Sequence, residues 1–361
     1  MSNTIKRDYR GLPKKYWKKQ NFCWYMHDVI LSILENCTEN DKMDTKFKFR
    51  SELHAKDFEQ TNDDVIDWLY KNEYTDIADN IIGKRVFHAI ASDMFSFIYE
   101  SLNTIEKGKI TVSLALLRKP FRDNLLYLEW LLGNDSKNLI DMINEQDIEK
   151  YAIENITKYK KRDIIKSAIN KVKNQAFFEE MDENTYYDLR YNYKAENSLQ
   201  RAWNKANHLV TTGKHIKSEE FNFVFLDKEL YLEFIDYFYC QLPHLLFYTY
   251  NVIIELYDKY IRRISNATRI YNNSLILYKF IDLSEELKPE EYFYKDKKDL
   301  LTFLCLHCKK PIRISLNGKE FNDFRNNWSF TCPICGEDIN IARYIFLEDY
   351  KEKNKHLKVV K

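Results

Sequence analysis

Four cysteines near the C-terminus have the spacing that chelates a metal ion. CLHC at 305 to 308 and CPIC at 332 to 335 are two C-x-x-C pairs with 23 residues between them. Each pair can place two thiolates on one ion from a single tight turn, and two such turns complete the tetrahedron that zinc prefers. Cys305, Cys308, Cys332 and Cys335 are therefore the expected ligands of one Zn2+ per chain. With no open coordination position, the ion is structural rather than catalytic. PIRISL after the first pair and NWSFT before the second are strand-like, and their pairing would bring the two turns together. Pro333 presets the second turn, and Gly336 can take the positive φ that follows a turn's second cysteine. Lys309 occupies the equivalent place in the first turn, and His307 lies between ligands as an exposed or supporting residue.

Other chemistry is sparse. The eight histidines are dispersed, without H-E-x-x-H or a carboxylate and histidine cluster at metal spacing. There is no G-x-S-x-G, phosphate-binding glycine loop or dinucleotide fingerprint, and only 7 glycines to build one. Serine-hydrolase, nucleoside-triphosphatase and dehydrogenase chemistry are excluded on that ground. One constellation remains in NSLQRAWNKANHLVTTG, which reads as a helix and sets Arg201 and His208 two turns apart on nearly one face. Asn204 shares that face, and Asn207 adjoins His208. A second polar set, Arg118, Arg122, Asp123 and Glu129, lies on the apolar segment KITVSLALLRKPFRDNLLYLEWLLGN. Its plain structural role is a pair between Arg122 and Glu129 or Asp123, and its functional role is added phosphate contact beside Arg201 and His208.

Residues 300 to 347 resemble the zinc-ribbon family, many of whose members bind nucleic acid or a protein partner while others cap a domain. From 295 to the end there are fourteen Lys and Arg against nine Asp and Glu, a net of +5 before the metal site. That balance favours nucleic-acid contact, with Arg325 for phosphate and Trp328 and Phe330 for stacking. The R-x6-H spacing of Arg201 and His208 is similar to the motif of HEPN domains, all-α modules of many prokaryotic ribonucleases, toxins and defence proteins. The resemblance implies that His208 is the acid and base acting on a ribose 2′-hydroxyl and that Arg201 stabilises the phosphate. It implies Asn204 as an orienting amide, a homodimer that pairs two such helices, and RNA cleavage without a metal. Ala202 departs from the commoner form of the motif, in which a polar residue follows the arginine.

The elements that must position these residues are helical. Only 7 Gly and 6 Pro, against 26 Tyr and 23 Phe in 361 residues, argue for long helices with few turns. Apolar residues recur at helical spacing, as in Val29, Ile30, Ile33 and Leu34, and again in Phe87, Ile90, Ala91, Met94, Phe95, Ile98 and Leu102. The expected fold is mostly α, a HEPN-like helical bundle followed by a small β zinc ribbon. Its segments are a basic N-terminal arm (1–20, with Lys14 and Lys15 as nucleic-acid contacts), an α-helical domain (21–283), a charged linker (284–299), the ribbon (300–347) and a basic tail (348–361). Pro120 predicts a kink or break near Lys119, and Pro243 another. The net charge of +1 announces no partner by itself. The apolar stretch from Tyr231 to Tyr257 is interrupted by Glu233, Asp236, Gln241, Pro243, His244 and Glu255, which excludes a lipid-facing span. No secretory leader is read at the N-terminus, and Cys23, Cys37 and Cys240 read as reduced thiols of a cytoplasmic protein. The sequence thus points to an RNA-directed protein, either a HEPN-type endoribonuclease or a non-enzymatic ribbon adaptor for nucleic acid or protein.

Overall fold

The computed structural model describes residues 9, 11–172, 182–195, 198–212, 221–222, 228–281, 283, 300–315 and 329–349. Among these the chain is mostly helical. The helices in order are α1 (Trp17–Thr38), α2 (Glu52–Gln60), α3 (Val65–Lys71), α4 (Thr75–Glu106), α5 (Ile110–Arg118), α6 (Leu125–Leu132) and α7 (Ser136–Asn144). They continue as α8 (Ile148–Tyr151), α9 (Lys158–Val172), α10 (Glu183–Tyr191), α11 (Leu199–Asn207), α12 (Lys228–Tyr260) and α13 (Asn266–Ile281). Four short strands follow: β1 (Leu300–Leu304), β2 (Pro311–Ser315), β3 (Ser329–Thr331) and β4 (Asp338–Asn340). The linker 284–299 and residues 350–361 of the tail lie outside the described residues.

Several helices start on side-chain caps that satisfy otherwise orphaned backbone donors. Ser51 accepts from His54 N, Asp64 from Ile66 N, Asp182 from Thr185 N and Ser198 from Gln200 N. The core lies where α1 packs on α4 and α12 and where α4 packs on α5 and α6. Every apolar position named above on α1 and α4 is buried there except Ile90, which packs against it half-buried. No described helix is long and apolar enough to cross a membrane.

The first helix begins at Trp17, inside the segment read as an arm. Leu12, Tyr16 and Gln20 are buried, Gly11 N donates to Glu106 O, and Trp17 Nε1 donates to Leu12 O. Residues 1–8 and 10 lie outside the described residues. Apolar side chains at 12 and 16 explain why this stretch docks despite its charge.

The expected break at Pro120 is replaced by a widened π-helical turn, Lys119–Asn124, that joins α5 to α6. Leu125 N donates five residues back to Pro120 O. The wider turn relieves the clash of the proline ring with the preceding turn. Side chains of α10 bind its carbonyls: Arg190 Nη1 donates to Phe121 O at 3.3 Å, and the Tyr191 hydroxyl donates to Arg122 O. At Pro243 the second expected break is also absent, and α12 runs through it with Leu242, Leu245 and Leu246 buried alongside.

Arg190 is fully buried and gives both Glu129 oxygens hydrogen bonds of 2.8 and 2.7 Å, while the Tyr248 hydroxyl donates to Glu129 at 2.8 Å. Glu129 therefore pairs with Arg190, and Arg122 pairs with Asp123 at 3.0 Å. Burial pushes the Glu129 carboxyl upward against the pull of Arg190 and Tyr248. For Arg190, burial acts against its charge, but Glu129 outweighs it and keeps the guanidinium protonated.

Removing one partner leaves a buried charge. Glu129→Ala is expected to cost about 3–5 kcal/mol, and Glu129→Leu combined with Arg190→Met to recover most of that loss. Urea denaturation of the three proteins measures it.

Candidate metal centre

Each cysteine pair sits at the tip of a β-hairpin. β1 pairs antiparallel with β2 around the first turn, and β3 with β4 around the second. The expected pairing of PIRIS with NWSFT is thus not the one formed, because each strand finds a closer partner across its own tight turn. The two turns repeat one hydrogen-bond pattern. Lys309 N donates to Cys305 O at 3.0 Å and Cys305 N to Lys310 O at 3.0 Å; Gly336 N donates to Cys332 O at 2.9 Å and Cys332 N to Glu337 O at 2.8 Å. The residue after each second cysteine has positive φ, +60° at Lys309 and +75° at Gly336. The glycine position read from the sequence is confirmed, and Lys309 carries the strain that a side chain meets there.

The four Sγ atoms lie within 4.8 Å of one another. Cys305 and Cys335 Sγ are 3.7 Å apart, far beyond a disulfide bond. Bonds of about 2.3 Å from a tetrahedral zinc would separate its sulfurs by about 3.8 Å, so the donor set and its dimensions fit such an ion. Cys305 and Cys332 are buried, Cys308 is half-buried and Cys335 is exposed. Burial opposes ionisation of Cys332, but the N–H groups of Cys335 and Ile334 together with the neighbouring Cys335 and Cys305 thiols outweigh it and lower that thiol.

The buried side of the site rests on apolar residues. Ile312, Ile339 and Ile341 from the ribbon pack with Leu275 and Tyr278 of α13. Residues 341–349 then thread onto the bundle, a feature the sequence reading missed. Tyr344, Ile345 and Phe346 are buried. The Asn272 side chain accepts from Ile345 N at 2.8 Å and donates to Ile345 O at 2.9 Å, as a neighbouring strand would. Tyr344 N donates to Ser32 Oγ, Thr268 Oγ1 donates to Glu348, and Arg262 pairs with Asp349. The apolar run Tyr344-Ile345-Phe346-Leu347 was the available signal. Between the first turn and α1 lies a cleft of about 390 Å³ whose lining includes Glu39, His307, Asp338, Arg343 and Asp349. Its carboxylates outnumber its cations, which disfavours phosphate there.

The remaining candidates are scattered. The helix expected to carry the R-x6-H pair ends at Asn207, so Arg201 and Asn204 lie on α11 whereas His208 lies just past its end in extended backbone. Asn222 Nδ2 donates to His208 O at 2.8 Å. Arg201 and His208 are exposed, and among the described residues neither side chain has a hydrogen bond or ion pair. Asn204 is half-buried and accepts from Gln200 Nε2. Arg118, just before the π-helical turn, and Arg122, within it, are half-buried. Lys15 pairs with Asp236 at 3.2 Å, and Lys14 lies 5.8 Å from the Trp17 ring centre. Arg325 and Trp328 lie outside the described residues, and the Phe330 side chain is likewise not described.

No protein-family model matches the chain, and no curated protein or solved structure matches it. The metal-site reading therefore rests on the cysteine geometry alone.

Nothing lies within 4 Å of a Cβ placed on Gly336, so Gly336→Ala acts only through its positive φ. It is expected to cost about 1–2 kcal/mol and to speed loss of the metal to a chelator. Lys309→Gly relieves the same strain and is expected to slow that loss. A chromophoric chelator followed over time measures both.

Proposed function

We propose that the chain is an RNA-directed binding protein in which a structural zinc ribbon is fastened to a helical bundle. The observation that supports the ribbon in this reading is the fit of four thiols around one site whose apolar back packs on α13, with the segment that follows bonded to α1 and α13. Zinc held there supplies no catalytic position. It neutralises thiolates that would otherwise repel one another, and so fixes both hairpins on the bundle. The ribbon turns keep His307, Lys309, Lys310 and Ile334 exposed. In this reading they form a fixed contact surface for nucleic acid or a protein partner, and the molecule is an adaptor or sensor rather than an enzyme.

A second reading, a metal-independent HEPN-type endoribonuclease of toxin or antiviral-defence type, is favoured by one observation. Arg201 and His208 are both exposed within one short segment at the end of α11, where a phosphodiester could reach them. His208 would take the proton of a 2′-hydroxyl, Arg201 would hold the phosphate, and Asn204 would help to orient it. A homodimer that places two α11 ends together would supply the second set of groups.

Incubating the zinc-loaded protein with end-labelled single-stranded RNA separates the two. The adaptor reading expects retention of intact RNA, unchanged in His208→Ala. Cleavage leaving a 2′,3′-cyclic phosphate, abolished in His208→Ala with zinc content preserved, would establish the nuclease reading instead.

A further inference from the structure

Of the fifteen residues of α9, six are Lys or Arg and one is acidic, Asp163. Ile164, Ile165, Ala168, Ile169 and Val172 are buried, so the cations ride on the flanks of the helix. Lys158, Arg162 and Lys166 recur every four residues and form one stripe. The neighbouring α10 offers Tyr187 and Tyr191, one turn apart with ring centres separated by 5.5 Å. Each carries a cation from α9: Arg162 lies 4.5 Å above Tyr187, and Lys161 lies 5.3 Å above Tyr191. The π-helical turn completes the seam with Arg122, whose backbone carbonyl is held by the Tyr191 hydroxyl.

We propose that this seam of α9, α10 and the π-helical turn is a binding surface for the backbone and bases of single-stranded RNA. It rests on the RNA-directed reading above and assigns that reading a site outside the ribbon. The charges at the seam are unequal. Arg118, Arg122, Lys158, Lys161, Arg162 and Lys166 stand against Asp123, Glu154, Asp163, Glu183 and Asp188, six cations to five carboxylates. Two of the ion pairs are long, Arg162 to Asp188 at 3.6 Å and Lys166 to Glu183 at 3.5 Å. Both carboxylates are half-buried, and ion pairs of this length leave the cations able to turn to a phosphate. Burial lowers the Lys161 ammonium and the nearby Arg122 lowers it further, as expected where two cations are held together without full compensation.

Aromatic rings distinguish RNA from an acidic peptide. Tyr159 is 67% exposed beside Lys158, whose ammonium lies 4.8 Å from the ring centre. An exposed ring flanked by cations is the arrangement on which a splayed base stacks while its phosphates are held. The opposite sign elsewhere orients the ligand. Residues 51–80 contain nine Asp and Glu against two Lys, so that lobe repels a polyanion.

The test is fluorescence anisotropy of a labelled oligouridine with full-length, zinc-loaded protein over a series of salt concentrations. Replacing Lys158, Arg162 and Lys166 with Gln is expected to weaken binding about tenfold. The slope of log affinity on log salt should fall by about 2, since each lost single-strand contact removes about 0.7. Tyr159→Ala is expected to weaken binding about tenfold and Tyr159→Phe to leave it unchanged, a pair that stays informative even if the triple variant folds poorly. Lys56→Gln with Lys71→Gln, in the acidic lobe, should change nothing. Wild-type binding that survives both the triple variant and Tyr159→Ala overturns the seam and leaves the RNA reading standing. Absence of wild-type binding overturns both. A seam that captures a labelled polyglutamate peptide and ignores RNA identifies an acidic protein partner and also overturns the proposal.

Discussion

A guanidinium sealed from water sets the terms for the helical part of this protein. Arg190 has no solvent to share its charge, so Glu129 must face it and Tyr248 must occupy a remaining lone pair. That one requirement fixes α10 against α6 and α12. It also ties down the turn that accommodates Pro120, since Arg190 and its neighbour Tyr191 donate to the carbonyls of Phe121 and Arg122 within it. The wider turn, the buried pair and the tyrosines beneath the α9 cations are thus one mechanical unit. A buried ion pair adds little net stability over an apolar equivalent, and its effect here is to specify which helices meet.

A second set of buried polar contacts does the same for α1, α4 and α12. Glu106 of α4 accepts from Gln20 and Trp24 of α1, and Gln20 in turn accepts from Tyr239 of α12. The C-terminal segment uses the same device, since Asn272 grips the backbone of Ile345 with both its amide groups. The ribbon is therefore an extension of the bundle surface, with its apolar underside continuous into α13.

Local features were legible in the sequence and long-range ones were not. The cysteine turns, the positive φ at Gly336 and its awkward counterpart at Lys309 follow from spacing within a few residues. The buried faces of α1 and α4 follow from helical periodicity. Glu129 stood out as a charge in an apolar segment, but its partner lies 61 residues away and nothing in the local pattern points to it. The strand pairing was misjudged because NWSFT and PIRIS have equal strand character, and short hairpins prevailed over a longer closure. Helical spacing through His208 was misleading because α11 ends at Asn207: His208 N still donates to Asn204 O, while its own carbonyl accepts from Asn222, fourteen residues on.

The ribbon depends on the state of the four cysteines. Native mass spectrometry of the full-length protein, purified without chelator, reads that state. The mass expected is that of the chain plus one zinc ion, with the corresponding protons lost. A mass equal to the metal-free chain, or one lower by the hydrogens of a disulfide between these cysteines, would contradict it.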